Sequence, residues 1–132
     1  MASTKYFIFP LVLLALAINL TFSSAAEIEA ADVAVPVIHI ICANSEPISV
    51  NVADQAPVQL KPGQEHQVKV LDKKAFYDMT SYYLTSNFAA VDLYRPARDS
   101  GHAAVYWKAD WWGYSISYDN VKYKRVVEWE SE

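Results

Sequence analysis

Short runs rich in Val, Ile, Tyr and Trp recur along this chain at intervals of roughly 8 to 12 residues, and this spacing restricts the fold more than any other feature of the sequence. Runs of that length and composition suit a pleated, half-buried surface and are too short for independent helices. Strands are expected at Val37 to Cys42, Ile48 to Val52, His66 to Leu71, Tyr82 to Ser86, Ala89 to Tyr94, Val105 to Ala109, Tyr114 to Tyr118 and Tyr123 to Trp129. A shorter extended segment is expected at Val58 to Leu60. Gln67-Val68-Lys69-Val70 and Lys122-Tyr123-Lys124 alternate polar and apolar side chains, so one sheet face is wet. Ala75 to Thr80 is compatible with a short helical turn, but no stretch sustains helical apolar spacing for ten residues. The fold class is therefore all-β, a small antiparallel β-sandwich of about seven or eight strands.

Two turns carry specific backbone chemistry. In Lys61-Pro62-Gly63-Gln64, proline presets φ near −65° at the second position and glycine supplies the positive φ that a type II turn needs at the third. Asp110-Trp111-Trp112-Gly113 separates two strand-like runs, which predicts a hairpin from Val105 to Tyr118.

Ahead of the first strand stands a different kind of segment. Lys5 precedes an almost purely apolar run from Tyr6 to Leu20, followed by small and polar residues up to Ala26. That order is a secretory signal peptide's, expected to span residues 1–26 with cleavage after Ala25 or Ala26. The run is shorter than the roughly 20 residues needed to cross a hydrocarbon core, so stable membrane insertion is not expected. Residues 27–36 read as a flexible, acidic, alanine-rich lead-in, and residues 37–132 as one domain. Secretion to the extracellular space follows.

The charge balance excludes one class of partner. The chain carries a formal net charge of −4, and loss of Lys5 with the signal takes it to −5. Lys122, Lys124 and Arg125 form the one tight basic group, too small for a nucleic-acid footprint and better suited to a solvated strand edge. The single cysteine, Cys42, permits no internal disulfide. It shares a strand face with Ile38 and Ile40, which favours burial over a bridge between two chains. Asn19, the one asparagine in a glycosylation acceptor, lies within the signal.

The residues that carry chemistry are sparse. His39, His66 and His102 are far apart and lack the spacing that presents two ligands to a metal, so neither metal nor cofactor is expected. No Gly-x-Ser-x-Gly elbow supports a serine nucleophile, and Cys42 sits where a reactive thiolate is disfavoured. Asp92, Asp99 and Asp110 would serve as glycosidase acid and base only if folding paired them. The three glycines, at 63, 101 and 113, are too dispersed to cradle a phosphate. No catalytic residue is assigned, and the chain reads as a non-enzyme.

Several stretches together resemble the plant self-incompatibility S-protein family and its homologues. They are VIHII in the opening strand, LKPGQE at Leu60 to Glu65, FAAVDLYRPARD at Phe88 to Asp99, VYWKADWWGYSIS at Val105 to Ser117, and Trp129. The resemblance implies a secreted β-sandwich that acts as a ligand for another cell's surface receptor protein in recognition or signalling. The family usually carries cysteines where Val52, Leu84, His102 and Val105 stand here. Three of those four are aliphatic, which implies that packing replaces cross-links.

Two surfaces are candidates for binding. The loop from Arg95 to Ala104 is about ten residues long, contains Pro96 and Gly101, and offers Arg95, Arg98 and Asp99 as charged contacts without regular structure. The alternative is a carbohydrate-binding module in which Trp111, Trp112 and Tyr114 stack on the sugar rings of a cell-wall polysaccharide. Against that platform, Trp107 and one of Trp111 and Trp112 would instead fill the core.

Overall fold

The structure, a computed structural model, describes residues 35–131. The expected signal peptide and nearly all of the lead-in lie outside the described residues. Ten strands and one helical turn follow in chain order: β1 (Val37–Cys42), β2 (Ile48–Val52), β3 (Val58–Leu60), β4 (Glu65–Lys69), β5 (Tyr77–Tyr83), β6 (Asn87–Tyr94), α1 (Pro96–Asp99), β7 (Ala104–Ala109), β8 (Gly113–Ser117), β9 (Lys124–Glu128) and β10 (Glu130–Ser131). They form two five-stranded sheets, one ordered β4-β1-β7-β8-β9 and the other β10-β6-β5-β2-β3. The all-β sandwich read from strand spacing is the observed architecture.

Alternation sorts the side chains as expected. Ile38, Ile40 and Cys42 of β1, Val50 and Val52 of β2, Met79 and Ser81 of β5, and Val105, Trp107 and Ala109 of β7 are buried between the sheets. Cys42 is a fully buried free thiol, its Sγ donating to the Glu46 carbonyl at 3.6 Å. The predicted type II turn is present, with Gly63 at φ +86° and the Gln64 N–H bonded to the Lys61 carbonyl at 2.9 Å. The predicted hairpin is β7 and β8, paired antiparallel from Tyr106 opposite Ser117 to Ala109 opposite Tyr114.

The differences have physical causes. β1 and β7 pair in parallel, Val37 opposite Ala104 through Cys42 opposite Ala109, while every other pair is antiparallel. Strands so distant in sequence leave no local sign of their relative direction. Ala75 to Thr80 forms no helical turn, because β5 already begins at Tyr77 and places Met79 and Ser81 in the core by period-two alternation. The strand expected to reach Ser86 ends at Tyr83, and Leu84 turns the chain with φ +54°. The stretch expected to end at Trp129 is divided: β9 closes one sheet, and the chain crosses at Trp129 so that β10 joins the other.

Of the four positions where the resembled family carries cysteines, Val52 and Val105 are core residues. Leu84 and His102 are exposed. Of the three aliphatic side chains expected to pack in place of cross-links, Val52 and Val105 are in the core and Leu84 is not.

Candidate functional site

The register sets two ends to the sandwich. One gathers the starts of β1, β7 and β9, the ends of β4 and β8, and the β6 to β7 connection; the other carries the β7–β8 hairpin and the Pro62-Gly63 turn. The two groups of residues taken as binding candidates lie one at each end.

At the first end, the loop from Arg95 to Ala104 contains a single helical turn, α1, contrary to the expectation of irregular chain. The signal was present in the sequence. Arg95 is extended at φ −131° and ψ 122°, as a residue before proline should be, and Pro96 then begins the helix where its missing N–H costs nothing. Asp99 closes the turn from within. Its Oδ2 accepts the Arg95 backbone N–H at 2.9 Å, and Arg98 grips both carboxylate oxygens, Nε to Oδ1 at 2.7 Å and Nη2 to Oδ2 at 2.6 Å. The Tyr118 hydroxyl donates to Oδ1 at 2.6 Å. Asp99 is 0% exposed and so presents no outward contact.

Burial alone would raise the Asp99 pKa, but the bonds from Arg98, Tyr118 and the Arg95 N–H outweigh it and hold the carboxyl below the ordinary aspartate value. Tyr118 is pushed up to about 12, by burial first and then by its bond to Asp99. The Arg98 side chain also donates to the Asp92 carbonyl and lies 5.3 Å from the centre of the Trp107 ring.

Arg95 is equally engaged. Its Nη1 donates to the carbonyls of Tyr77 and Tyr94, and its Nη2 reaches the carboxylates of Asp78 and Asp92 at 2.5 and 2.7 Å. Its guanidinium rests 4.9 Å from the Phe76 ring centre. The two arginines thus use their charge to join α1 to β5 and β6.

Beside Arg95 the structure places a surface that sequence reasoning missed. Leu71 is 82% exposed and Phe76 69%, both in the β4–β5 connection. Internal bonds fix this connection. The Tyr77 hydroxyl accepts the N–H groups of Leu71 and Asp72 at 3.1 and 3.3 Å, the Asp72 carboxylate accepts that of Lys74, and the Tyr94 hydroxyl donates to the Lys73 carbonyl. Two large apolar side chains are therefore held in water by a fixed backbone. The visible cue was the polar Asp72-Lys73-Lys74 turn with an apolar residue near each side, which strand and turn readings absorbed.

At the other end, Asp110 organises the hairpin. Its Oδ1 accepts the N–H groups of Trp112 and Gly113 at 2.9 and 3.2 Å, and its carbonyl accepts the Trp129 indole N–H at 2.7 Å. Gly113 has φ +154°, and a Cβ there would sit 2.0 Å from the Val127 carbonyl oxygen. Tyr114 is 0% exposed, its ring packed near Trp107 and Trp129 and its hydroxyl bonded to Ser81 Oγ at 2.8 Å. Tyr114 consequently has no open face for a sugar. Trp107 is in the core and Trp112 partly buried, while Trp111 is 71% exposed. Of the three aromatics expected as a platform, only Trp111 stands clear of the protein.

The carboxylates do not assemble as a catalytic pair. Asp92 is bonded to Arg95, Asp99 is enclosed with Arg98, and Asp110 belongs to the opposite end. His39 bonds Glu65 at 2.9 Å and stacks on Tyr106, and His102 stacks on Tyr118. Among the described residues no group of three or more His, Cys, Asp or Glu side chains is placed to hold a metal ion, and no helix is long and apolar enough to cross a membrane.

Comparison with known proteins agrees with this architecture. The chain matches a solved self-incompatibility protein homologue, described as one of a widespread family of small, highly stable, secreted proteins from plants. The TM-score is 0.55 at 16% identity, covering 74% of this chain and 97% of the other. The likeness is one of fold. No family model and no curated protein matches the chain.

Proposed function

We propose that this chain is a secreted, non-enzymatic protein ligand in cell–cell recognition or signalling, and that it offers the Leu71 and Phe76 connection, with Arg95 beside it, to a cell-surface receptor protein. The carrying observation is the fixed exposure of Leu71 and Phe76. Water disfavours such side chains, and a backbone pinned by Tyr77 and Tyr94 cannot turn them inward. A preformed apolar pair also loses little entropy on docking. Arg95 supplies the adjacent polar rim, and Arg98 and Asp99 hold α1 in position behind it. The sandwich shared with a solved homologue described as secreted, together with the N-terminal apolar segment, supports the extracellular setting.

The test replaces Leu71 and Phe76 together by serine and measures binding of labelled protein to living cells of the source organism. The unfolding temperature should hold while apparent affinity falls tenfold or more, about 1.4 kcal/mol. Unchanged binding by a folded double variant would remove this surface from the recognition site. Charge reversal at Arg95 and Arg98 is a poor probe, because it would set new carboxylates against Asp78, Asp92 and Asp99.

A further inference from the structure

The opposite end of the molecule carries a second surface of different chemistry. Arg125, on the edge strand β9, has its guanidinium 4.9 Å from the Trp112 ring centre and 5.9 Å from that of Trp111. A guanidinium resting over the Trp112 ring, with Trp111 nearby, is oriented before any ligand arrives. Among the described residues it forms no ion pair, in contrast to Arg95 and Arg98. Arg125 also borders an open groove of about 510 Å³ that is lined by Ile116, Tyr118, Lys124, Val126 and Arg98 and so extends from the middle of β9 toward the end that holds α1. An acidic chain thus presents two cations, Arg125 and Lys124, that form no ion pair among the described residues, with the exposed Trp111 beside Arg125; Arg98 is paired with Asp99.

We infer that Trp111, Trp112, Arg125 and the groove beside them form a site for a polysaccharide built of uronate rings. A sugar ring presents C–H bonds to the open face of Trp111, and the ring's carboxylate meets Arg125, with Lys124 available to the next residue along the strand. The shape favours an extended chain of rings over a protein anchor, because the surface is open and offers no enclosed pocket for an inserted side chain. The charge favours an acidic sugar, because a neutral one would leave Arg125 and Lys124 without counterparts. This site uses neither Leu71 nor Phe76 and does not depend on the receptor reading. Together they would let a secreted ligand be retained on an acidic matrix while its other end stays free.

The experiment is affinity electrophoresis and calorimetry of the full secreted chain with polygalacturonate, a neutral β-glucan and poly-glutamate as probes. Saturable binding to polygalacturonate is expected, weakening as salt rises, with at least tenfold weaker binding to the other two. Trp111→Ala and Arg125→Gln should each weaken it fivefold or more at an unchanged unfolding temperature. Absence of binding to polygalacturonate overturns the site. Equal binding of poly-glutamate reduces it to charge alone and overturns sugar recognition, and equal binding of the glucan overturns the acidic class. Retained affinity in both folded variants places the binding elsewhere. Since Leu71 and Phe76 are untouched, cell-surface binding that survives these variants leaves the receptor reading standing whatever the polysaccharide result.

Discussion

At one end of the sandwich, Asp99 is enclosed by Arg98, Tyr118 and the Arg95 N–H, and Asp119 is fastened by the N–H groups of Val121 and Lys122 and by Ser117. At the other, Tyr114 meets Trp107 edge to face and Trp129 at a tilt, and Asp110 merely shapes the turn above them. The first end holds its charge inside and turns apolar Leu71 and Phe76 outward. The second holds its aromatics inside and turns Arg125 and Trp111 outward. The central organising groups, Asp99 and Tyr114, are withdrawn from the surface, while Asp119 fastens its turn from the exposed side. The two ends should accordingly fail under different stresses.

The largest effect is expected from Gly113→Ala. A Cβ would collide with the Val127 carbonyl in a backbone conformation that side chains rarely adopt, costing on the order of 3 to 4 kcal/mol in urea unfolding. If that variant were as stable as the parent, the aromatic end would not be the close-packed structure described.

Next comes Asp99→Ala, which strands the Arg98 guanidinium and leaves the Tyr118 hydroxyl without its acceptor. Removing one partner of a buried pair costs about 3 to 5 kcal/mol, and the partial exposure of Arg98 reduces this to about 2 to 3. The loss should weaken cell binding through the Leu71 and Phe76 surface, and because Arg98 and Tyr118 also line the groove beside β9, it should alter polygalacturonate binding less than Arg125→Gln does. A larger loss of polygalacturonate binding than in Arg125→Gln would place the sugar site at the Asp99 end of the groove.

Acid should separate the ends by a smaller margin. Asp99 lies below the ordinary aspartate value, and Asp119 is lowered to about 2, chiefly by the backbone N–H groups of Lys122 and Val121. Groups whose folded pKa is depressed contribute stability that is complete above the unfolded value, near 4, and is lost as pH falls through the folded value. Between about pH 4 and pH 2, amide exchange at residues 95–104 and 117–122 should quicken before that at residues 110–113, and Asp99→Asn should flatten the stability profile. Simultaneous loosening would argue against the polar end being the pH-sensitive one. The smallest effect concerns Cys42: buried and unable to bridge within its chain, it should leave thermal unfolding unchanged by reductant, whereas a marked drop would reveal a bridged dimer.

Much of the frame was legible locally. β1, β2 and β3 lie within the bounds that strand composition indicates, and Pro62-Gly63 specified its turn by the φ each residue permits. The candidate sites were legible only as places. Arg95, Arg98 and Asp99 were recognisable as a charged loop, but the same side chains serve equally as surface contacts or internal staples, and Asp92 and Tyr118 decide between them. Trp111, Trp112 and Tyr114 read as one aromatic group, although neighbours in a strand point to opposite faces and a hairpin's twist assigns each a different exposure. Leu71 and Phe76 resembled ordinary strand and turn residues because exposure is not a property of residue type.

The amino-acid order by itself determined the strand periodicity, the type II turn, the β7–β8 hairpin and the lone thiol's incapacity to close a loop, because each depends on steric and covalent rules acting within a few residues. The tertiary structure alone decided the parallel pairing of β1 with β7, the transfer of the chain at Trp129 from one sheet to the other, the enclosure of Asp99, and the meeting of Arg125 with Trp111 and Trp112. Those features join residues distant in sequence, and their energies exist only once the sheets are stacked, when water has left the interior and each buried polar group must find its partner in whatever strand the topology brings beside it.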